Sequence, residues 1–380
     1  MLGVEIDRNT IRRKRNVARM KKIRVMVVDD SALMRKLISE ILMKDPELEV
    51  VATAMDGLFA LQKIPLYRPD VITLDLDMPR MDGLTALRYI VHDYNLPVVL
   101  VSSLTTEGGH LTLDGLAIGA VDFVTKPQEA ISVHFHSVAE EVILKVKAAG
   151  RAAMDKVVLQ EVPQPVSRVV SRSCKASGGK RFRKIVAIGI STGGPNAISH
   201  ILPQFPADFP APILIVQHMP EGFTELFADR LDHQCKLKVK EAQEGDLLSS
   251  GTVYIAPGNR HLRITKVGLA SVVGLSTSPP VNGHRPSADV LFDSVSQAYG
   301  ADSIGILMTG MGEDGARGLG RIMASGGYTM AQSEDTCVVY GMPKVAYEMG
   351  YVREVVSLDK VSSRLRSLVE EATVCSGKDT

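Results

Sequence analysis

The sequence predicts an α/β protein made of two doubly wound, parallel-sheet domains. The chain has 380 residues, which at about 150 residues per domain suggests two or three domains. Short runs rich in Val and Ile alternate with amphipathic segments, a pattern typical of parallel sheets covered by helices on both faces. A stretch containing Pro, Ser and Gly at residues 148–182 separates two such regions and is interpreted as a linker.

The first alternating region covers residues 22–147. Its expected strands are IRVMVV (23–28), VITL (71–74), PVVLV (97–101) and FVT (123–125). The segment SALMRKLISEILMK (31–44) has apolar residues at helical spacing. This alternation of strand and helix predicts one doubly wound unit.

The second region covers residues 183–375. Its clearest strands are KIVAIGI (184–190), APILIVQ (211–217) and SIGILMT (303–309), with further candidates at 252–256, 270–275 and 328–332. The segments NAISHILPQF and SADVLFDSVSQAY are expected to be helices between strands. The same doubly wound architecture is therefore predicted a second time.

Composition limits the class of function. With 44 basic and 43 acidic residues, the net charge of +1 argues against nucleic acid or an anionic membrane as a partner of the whole chain. No apolar stretch approaches the length of a spanning helix, and no secretory signal begins the chain. The basic extension at 1–21 is interpreted as a solvated tail, with a docking arm as the alternative. Four scattered cysteines without a C-x-x-C pair indicate a reducing compartment, so a cytoplasmic protein without membrane insertion is expected.

Acidic residues follow two strands of the first region. Asp29 and Asp30 come after IRVMVV, and Asp75 comes after VITL. Because the carboxyl ends of parallel strands share one edge, these carboxylates should meet and bind a hard cation such as Mg²⁺. Ser102 and Lys126 follow the next two strands. A carboxylate beside Mg²⁺, Lys and Ser is suited to accepting a phosphoryl group.

These motifs resemble a known family. The segments VMVVDDS, TLDLDMPRMDGL, VVLVSS and FVTKP are similar to those of response-regulator receiver domains, which are flavodoxin-like. The resemblance implies that a histidine kinase phosphorylates Asp75. It also implies that Asp30, Asp75 and the backbone carbonyl of Asp77 hold Mg²⁺, with Asp29 helping through water.

The same resemblance implies roles for three further residues. Ser102 would bond the phosphoryl group, and Lys126 would pair with it. Phe123 occupies the aromatic switch position of receivers, with an ordinary core role as the alternative.

A possible nucleophile begins the second region. Residues 189–193 read G-x-S-x-G after the strand KIVAIGI and before a helix, a context that presents a serine, Ser191, on a sharp turn. His218 follows APILIVQ, and Asp314 lies shortly after SIGILMT. All three can therefore meet at one sheet edge, where His would take the Ser proton and Asp would orient the imidazole. The chain order differs from that of α/β-hydrolases, and a dinucleotide fingerprint would need glycine at 191.

A second resemblance covers this region. The segments GISTGGP, VQHMP, HRPSADVLF and ILMTGMGEDGA are similar to motifs of the catalytic domain of chemotaxis protein-glutamate methylesterases, a Rossmann-like domain. It implies Ser-His-Asp hydrolysis of glutamyl methyl esters on the cytoplasmic helices of chemoreceptors through an acyl-enzyme, deamidation of receptor glutamines, and activation by phosphorylation. Ser191, His218 and Asp314 match catalytic positions, and Thr192 and Met311 match positions that line the site. No cofactor is implied there.

Two alternatives stay open at this point. The chain could be a non-catalytic signalling module in which a receiver regulates a binding domain. The second domain could also be a nucleotide-dependent oxidoreductase. His284 and Arg285 lie in a polar turn before SADVLFDSV, where Arg285 is a candidate contact for acidic receptor helices or an ordinary solvated charge.

Overall fold

The computed structural model describes residues 22–103, 105–126, 135–152, 154–157, 182–268 and 270–374. The predicted basic extension at 1–21 and most of the predicted linker at 148–182 lie outside these ranges. Within the described part of the chain, no helix combines the length and the apolar character needed to cross a bilayer.

The first domain contains one parallel sheet. Its strands are β1 (Ile23–Val28), β2 (Leu48–Ala54), β3 (Val71–Asp75), β4 (Val98–Ser102) and β5 (Asp122–Thr125). Its described helices are α1 (Ala32–Leu42), α2 (Gly57–Tyr67), α3 (Gly83–Tyr94), α4 (Thr106–Ile118) and α5 (Phe135–Ala149). The strand order is β2-β1-β3-β4-β5, with every pairing parallel.

The second domain contains a larger sheet of the same kind. Its strands, together with a separate hairpin, are β6 (Ile185–Ile190), β7 (Ile213–Gln217), β8 (Lys238–Glu241), β9 (Thr252–Ile255), β10 (His261–Val267), β11 (Ala270–Ser276), β12 (Ser303–Leu307), β13 (Tyr328–Gln332) and β14 (Glu354–Val356). Its described helices are α6 (Gly194–Ile201), α7 (Phe223–Gln234), α8 (Ala288–Tyr299), α9 (Ala316–Ala324), α10 (Met342–Glu348) and α11 (Leu358–Val374). The sheet order is β14-β13-β12-β6-β7-β9-β8, again parallel throughout.

The predicted architecture is confirmed. Strand β6 shows why continuous apolar runs in the sequence predict the central strands. Val186, Ile188 and Ile190 pack into one core cluster, while Ile185 and Ala187 pack into another on the opposite face. A strand covered on both faces needs apolar residues at every position, so its sequence is a continuous run. The candidate strand at 270–275 exists, but it pairs with β10 in an antiparallel hairpin outside the main sheet.

In both sheets the strand order reverses at a point next to the first strand of the domain. In the first sheet this point lies between β1 and β3, and in the second between β12 and β6. Open α/β sheets bind ligands outside the carboxyl ends of the strands at such points. Asp29 and Asp75 lie at the first point, and Ser191 lies at the second. The topology therefore places both predicted sites where this class of sheet forms a crevice.

The two domains pack against each other through α4 and α7. Gly109 of α4 lies so close to Leu226 of α7 that a side chain at this glycine would collide with it. Arg230 Nη1 donates to Asp114 Oδ1 at 2.6 Å, in a pair that is largely shielded from solvent. The first domain is thus held against the second by both apolar contact and charge.

Candidate functional site

The turn after β6 holds the predicted nucleophile at the sheet edge. The N–H of Gly194 donates to the carbonyl of Ser191 at 2.7 Å, and Gly193 has φ 76°, a left-handed conformation that glycine adopts without strain. Gln217 at the end of β7 also donates its side-chain amide to the Ser191 carbonyl, at 3.1 Å. Ser191 is 9% exposed, so it sits just beneath the surface of the crevice.

His218 and Asp314 form the contact that the sequence predicted between them. The backbone N–H of His218 donates to the carbonyl of Ile190, which places this histidine beside the serine turn. Its Nε2 lies 2.9 Å from Oδ2 of Asp314, and both side chains are buried. Its Nδ1 is buried and has no hydrogen-bond partner among the described residues. The structure therefore joins histidine to aspartate, while a bond from the histidine to Ser191 is absent from the described contacts.

Asp314 is surrounded by hydrogen-bond donors. Besides His218 Nε2, the donors are Ser287 Oγ at 2.6 Å, the Ala288 N–H at 2.6 Å, Asn282 Nδ2 at 3.2 Å and the Asp289 N–H at 3.4 Å. Burial alone would raise the pKa of Asp314, but the hydrogen bonds from His218, Ser287 and Ala288 outweigh it and hold the pKa well below its usual range. Asp314 is therefore an ionised acceptor, and the Nε2 of His218 carries the hydrogen that faces it.

One short loop, residues 281–288, supplies most of these groups. Asn282 of this loop also donates to Asp289, at 2.7 Å. The ring of His284 stacks on that of His218 with centroids 3.8 Å apart and planes 7° apart. Burial, followed by the nearby His218, lowers the pKa of His284 to about 3, so its ring is neutral. Sequence reasoning placed His284 in this turn but did not connect it, Asn282 or Ser287 with the catalytic pair.

Arg285 has an internal role. Its Nε donates to Asn259 Oδ1 at 3.0 Å, and its Nη1 donates to the carbonyl of Thr277 at 2.8 Å. The guanidinium thus ties the 281–288 loop to the segments before β10 and after β11. These contacts occupy the donors that the sequence suggested for acidic receptor helices.

The residue after the serine contacts the first domain. Thr192 Oγ1 donates to Asp122 Oδ2 at 2.6 Å, and the N–H of Gly193 donates to the carbonyl of Val121 at 3.2 Å. Thr192 therefore lies where the sequence placed it, but its hydroxyl faces the other domain. Met311 is half-buried in the loop after β12, beside Gly341. The contact of Asp122 with Thr192 was not predicted, because the sequence around a strand residue does not indicate a partner in another domain.

Comparisons with known proteins identify relatives of both domains. A family model described as CheB methylesterase matches residues 186–365, and one described as response regulator receiver domain matches 25–135. A protein-glutamate methylesterase/protein-glutamine glutaminase of Koribacter versatilis is 52% identical over 90% of this chain and 95% of its own length. Relatives of the same name from Pyrococcus abyssi and Syntrophotalea carbinolica are 44% and 46% identical over 92% and 93% of this chain, and over 94% and 99% of their own lengths.

The chain belongs to the protein-glutamate methylesterase family. Its first domain is a response-regulator receiver, and its second is a methylesterase domain. The predicted membership and enzyme class are confirmed, and the alternatives of a binding module or an oxidoreductase are not supported.

The receiver of this methylesterase brings its predicted charged residues together. Lys126 Nζ donates to Asp75 Oδ2 at 2.6 Å and lies 3.4 Å from Asp29 Oδ2. Burial raises the pKa of Asp75, and burial followed by the charge of Asp75 raises that of Asp29. Burial would lower the pKa of Lys126, but the bond to Asp75 and the charges of both aspartates raise it. The receiver crevice is therefore a cluster of negative charge that one lysine only partly balances.

This donor set suits the Mg²⁺ that receiver phosphorylation sites typically bind. Carboxylate oxygens of Asp29, Asp30 and Asp75 lie within 4.8 Å of one another, and Asp29 Oδ2 is buried without a hydrogen-bond partner among the described residues. Hard divalent cations prefer oxygen ligands of this kind. Asp30 and Asp77 are exposed beside the buried pair, at the open side of the crevice.

Two predicted switch residues make contacts with α4 and with the esterase domain. Ser102 is buried, donating to the carbonyl of Gly108 at 3.2 Å and accepting from Thr112 Oγ1 at 2.6 Å, both in α4. Phe123 is also buried and packs on Phe223 of the esterase domain, with ring centroids 4.6 Å apart. Both residues therefore contact elements at the surface that meets the esterase domain.

The position of Ser191 can be tested through Gly310. A Cβ added to Gly310 would lie 2.7 Å from Ser191 Cβ and 2.6 Å from Met342 Sδ, closer than real contacts allow. Gly310→Ala is therefore expected to displace the serine and to slow its labelling by a fluorophosphonate by roughly 10- to 100-fold, because catalytic groups tolerate little misplacement. Gly274→Ala, where nothing lies within 4 Å, is the matched control. Equal labelling rates in the two variants would contradict the tight packing around Ser191.

Proposed function

We propose that this protein hydrolyses glutamyl γ-methyl esters on the cytoplasmic helices of chemoreceptors and also deamidates certain receptor glutamines. The observation that carries the proposal is the 2.9 Å contact between His218 and Asp314 beside the Ser191 turn. Relatives named for both activities match at least 90% of the chain, which supports the same pair of substrates. The enzyme would work in the cytoplasm, in the adaptation of chemotaxis or of a related receptor array.

In the first half of the proposed reaction, Ser191 Oγ attacks the γ-carbonyl carbon of the ester. His218 Nδ1, which is free of other partners among the described residues, takes the serine proton. Asp314 stabilises the resulting imidazolium through Nε2. Backbone amides near Thr192 and Met311 are the candidates for holding the carbonyl oxygen as it becomes negative.

The second half returns the enzyme to its starting state. The tetrahedral intermediate collapses, the carbon–oxygen bond to the methoxy group breaks, and methanol leaves with the proton from His218. A glutamyl ester of Ser191 remains. Water, deprotonated by His218, then attacks this ester, which releases the glutamate and restores the serine hydroxyl. For a glutamine substrate, ammonia leaves in place of methanol.

Mass spectrometry of receptor peptides tests this function directly. Methylated receptor incubated with the enzyme should lose the mass of one methylene per ester, and a susceptible glutamine should become a glutamate. Ser191→Ala serves as the control and should leave every peptide unchanged. Peptides that keep their methyl groups with the wild-type enzyme, under phosphorylating conditions, would rule out the proposed activity.

Asp314→Asn probes the histidine–aspartate pair. Asparagine cannot supply an ionised acceptor, so His218 loses both its preferred tautomer and its counter-charge. We expect kcat for methanol release to fall on the order of 10⁴-fold, with the melting temperature recorded to confirm folding. Glu313→Gln removes the neighbouring exposed carboxylate and should leave kcat unchanged. A similar fall in both variants would point to general charge effects.

We further propose that phosphorylation of Asp75 by a histidine kinase activates the esterase. The receiver contacts the two residues after Ser191 through Val121 and Asp122, at the start of β5, and Phe123 of the same strand packs on Phe223. Lys126, which bonds Asp75, follows the end of the same strand. A phosphoryl group on Asp75 would change the partner of Lys126, and this change would be transmitted along β5.

Ser102 offers a second route from the phosphorylation site. Its hydroxyl bonds Gly108 and Thr112 in the first turns of α4, the helix that carries Asp114 to its pair with Arg230. If Ser102 turned to bond the phosphoryl group, as the receiver resemblance implies, α4 would lose both bonds. Mg²⁺ held by Asp29, Asp30, Asp75 and the carbonyl of Asp77 would offset the negative charge of the phosphoryl group.

A small phosphodonor such as acetyl phosphate tests the proposed activation. With Mg²⁺ present, it should raise the rate of methanol release by the wild-type enzyme, and Asp75→Asn should abolish the rise. Asp77→Asn is the matched control, because only its backbone carbonyl is implicated and its side chain is exposed. Equal rates with and without phosphodonor in the wild type would refute the proposed regulation.

The ion pair between Asp114 and Arg230 allows the proposed restraint by the receiver to be tested without phosphorylation. Arg230→Ala removes the ion pair, and we expect the unphosphorylated rate to rise by up to about fivefold, the worth of a pair contributing near 1 kcal/mol. Arg321→Ala breaks an Arg–Asp pair with Asp293 inside the esterase domain and should leave the rate unchanged. An unphosphorylated rate that does not rise in Arg230→Ala would show that this pair does not restrain the enzyme.

A further inference from the structure

The imidazole of His218 has only one side-chain hydrogen bond among the described residues, the one from Nε2 to Asp314. Because Nε2 lies close to the axis of the bond that joins the ring to Cβ, a single hydrogen bond at this atom restrains small rotations of the ring only weakly. Such a rotation would redirect Nδ1, the atom that takes the Ser191 proton in the proposed reaction. A contact other than the bond to Asp314 must therefore hold the plane of the His218 ring if His218 is to act as the base for Ser191.

The ring of His284 lies where it can do so. Its centroid is 3.8 Å from that of His218, within the usual contact distance of carbon atoms, and the two planes differ by only 7°. A rotation of the His218 ring out of this plane would drive one of its edges into the His284 ring. The stacked geometry therefore blocks the motion that the hydrogen bond to Asp314 permits.

We propose that His284 is a positioning residue for the hydrolytic reaction, whose ring holds the plane of His218 so that Nδ1 keeps the direction that the proposed proton transfer from Ser191 requires. This inference rests on the proposed serine mechanism. His284 acts only through His218, because the proton transfers of the proposed reaction use Nδ1 of His218 while its Nε2 stays bonded to Asp314.

The backbone around His284 is fixed in a way that suits this role. Val281 and His284 exchange hydrogen bonds at 3.0 Å and 2.9 Å, which closes a tight turn. Arg285 anchors the next residue to Asn259 and to the end of the β10–β11 hairpin. The stacking ring is thus mounted on a rigid turn that also carries Asn282 to Asp314.

A neutral aromatic ring also suits the charge that develops during turnover. When His218 takes the serine proton it becomes a cation, and a second cation in face-to-face contact would oppose this step. His284 is uncharged near neutral pH because burial disfavours its protonated form. The π face of an uncharged ring instead attracts the cation. Phenylalanine would share this property and leucine would not.

The test compares His284→Phe, His284→Leu and His284→Ala in the full chain. His233→Ala is the matched control, because His233 is an exposed histidine in the last turn of α7. Two readouts are used: kcat and KM for methanol release from methylated receptor, and the rate at which a fluorophosphonate labels Ser191. Melting temperatures show which variants fold.

We expect His284→Phe to stay within about twofold of the wild type in both readouts. His284→Leu and His284→Ala should lower kcat and the labelling rate by about five- to tenfold with KM unchanged, the size of effect that an aromatic pair supplies. If the alanine variant does not fold, the comparison of Leu with Phe decides. This pattern would support the positioning role, since simple cavity filling is served equally well by leucine.

Several results would overturn the inference. Full activity in the Leu or Ala variant would show that no ring is needed, and a Phe variant as slow as Ala would show that a nitrogen of His284 is needed instead. If the wild type releases no more methanol than Ser191→Ala, the proposed function is refuted. The rates of fluorophosphonate labelling in the His284 variants would still test whether the His284 ring positions His218. A wild-type serine that the reagent does not label would overturn both proposals.

Discussion

The candidate catalytic edge of this protein depends on one buried charge, the carboxylate of Asp314. An ionised group inside a protein costs several kcal/mol unless hydrogen-bond donors surround it. Here the donors come from His218 and from residues 282–289, which gather around both carboxylate oxygens. The need to satisfy this charge therefore fixes the path of the 281–288 loop. That loop in turn places His284 on the imidazole of His218 and links the candidate site to the hairpin through Arg285.

A second dependence runs between the domains. Thr192 bonds Asp122, the first residue of β5, and Gly193 bonds Val121, the residue before it. Phe123, the next residue of that strand, packs on Phe223 of the esterase domain. Lys145 reinforces this strand from α5: it lies 3.2 Å from Asp122 and over the Phe123 ring. The receiver thus meets the esterase at the Ser191 turn, and the same short strand ends beside the lysine that bonds Asp75.

Much of the fold could be predicted because its central strands are buried on both faces. β1, β3, β4, β6, β7 and β12 appear in the sequence as apolar runs that need no further information. Strands β2, β8, β10 and β14 were missed, since they have an exposed face or lie near a sheet edge and carry charged residues such as Glu49, Lys238, Arg263 and Glu354. Their identity depends on what they pair with, which the local pattern does not contain.

For the candidate site, the positions of the main residues could be predicted from the sequence, but their hydrogen-bond partners could not. Ser191, His218 and Asp314 could be found because parallel strands carry their following residues to one edge. The direction of a side chain, however, depends on distant partners. Ser102 bonds α4, and Thr192 bonds a receiver aspartate. Asn282 and Ser287 donate hydrogen bonds to the carboxylate of Asp314, which comes more than twenty residues later in the chain. Polar residues in a turn give no indication of such long-range bonds.

The contact of Gly193 with Val121 has one more consequence. An amide of the nucleophile loop is engaged by a carbonyl of the same polypeptide, so the engaging group is tethered and cannot diffuse away. Tethered groups act at an effective concentration set by the connecting chain and independent of how much protein is present. Dilution, or a change in expression level, therefore leaves the fraction of molecules in this arrangement unchanged.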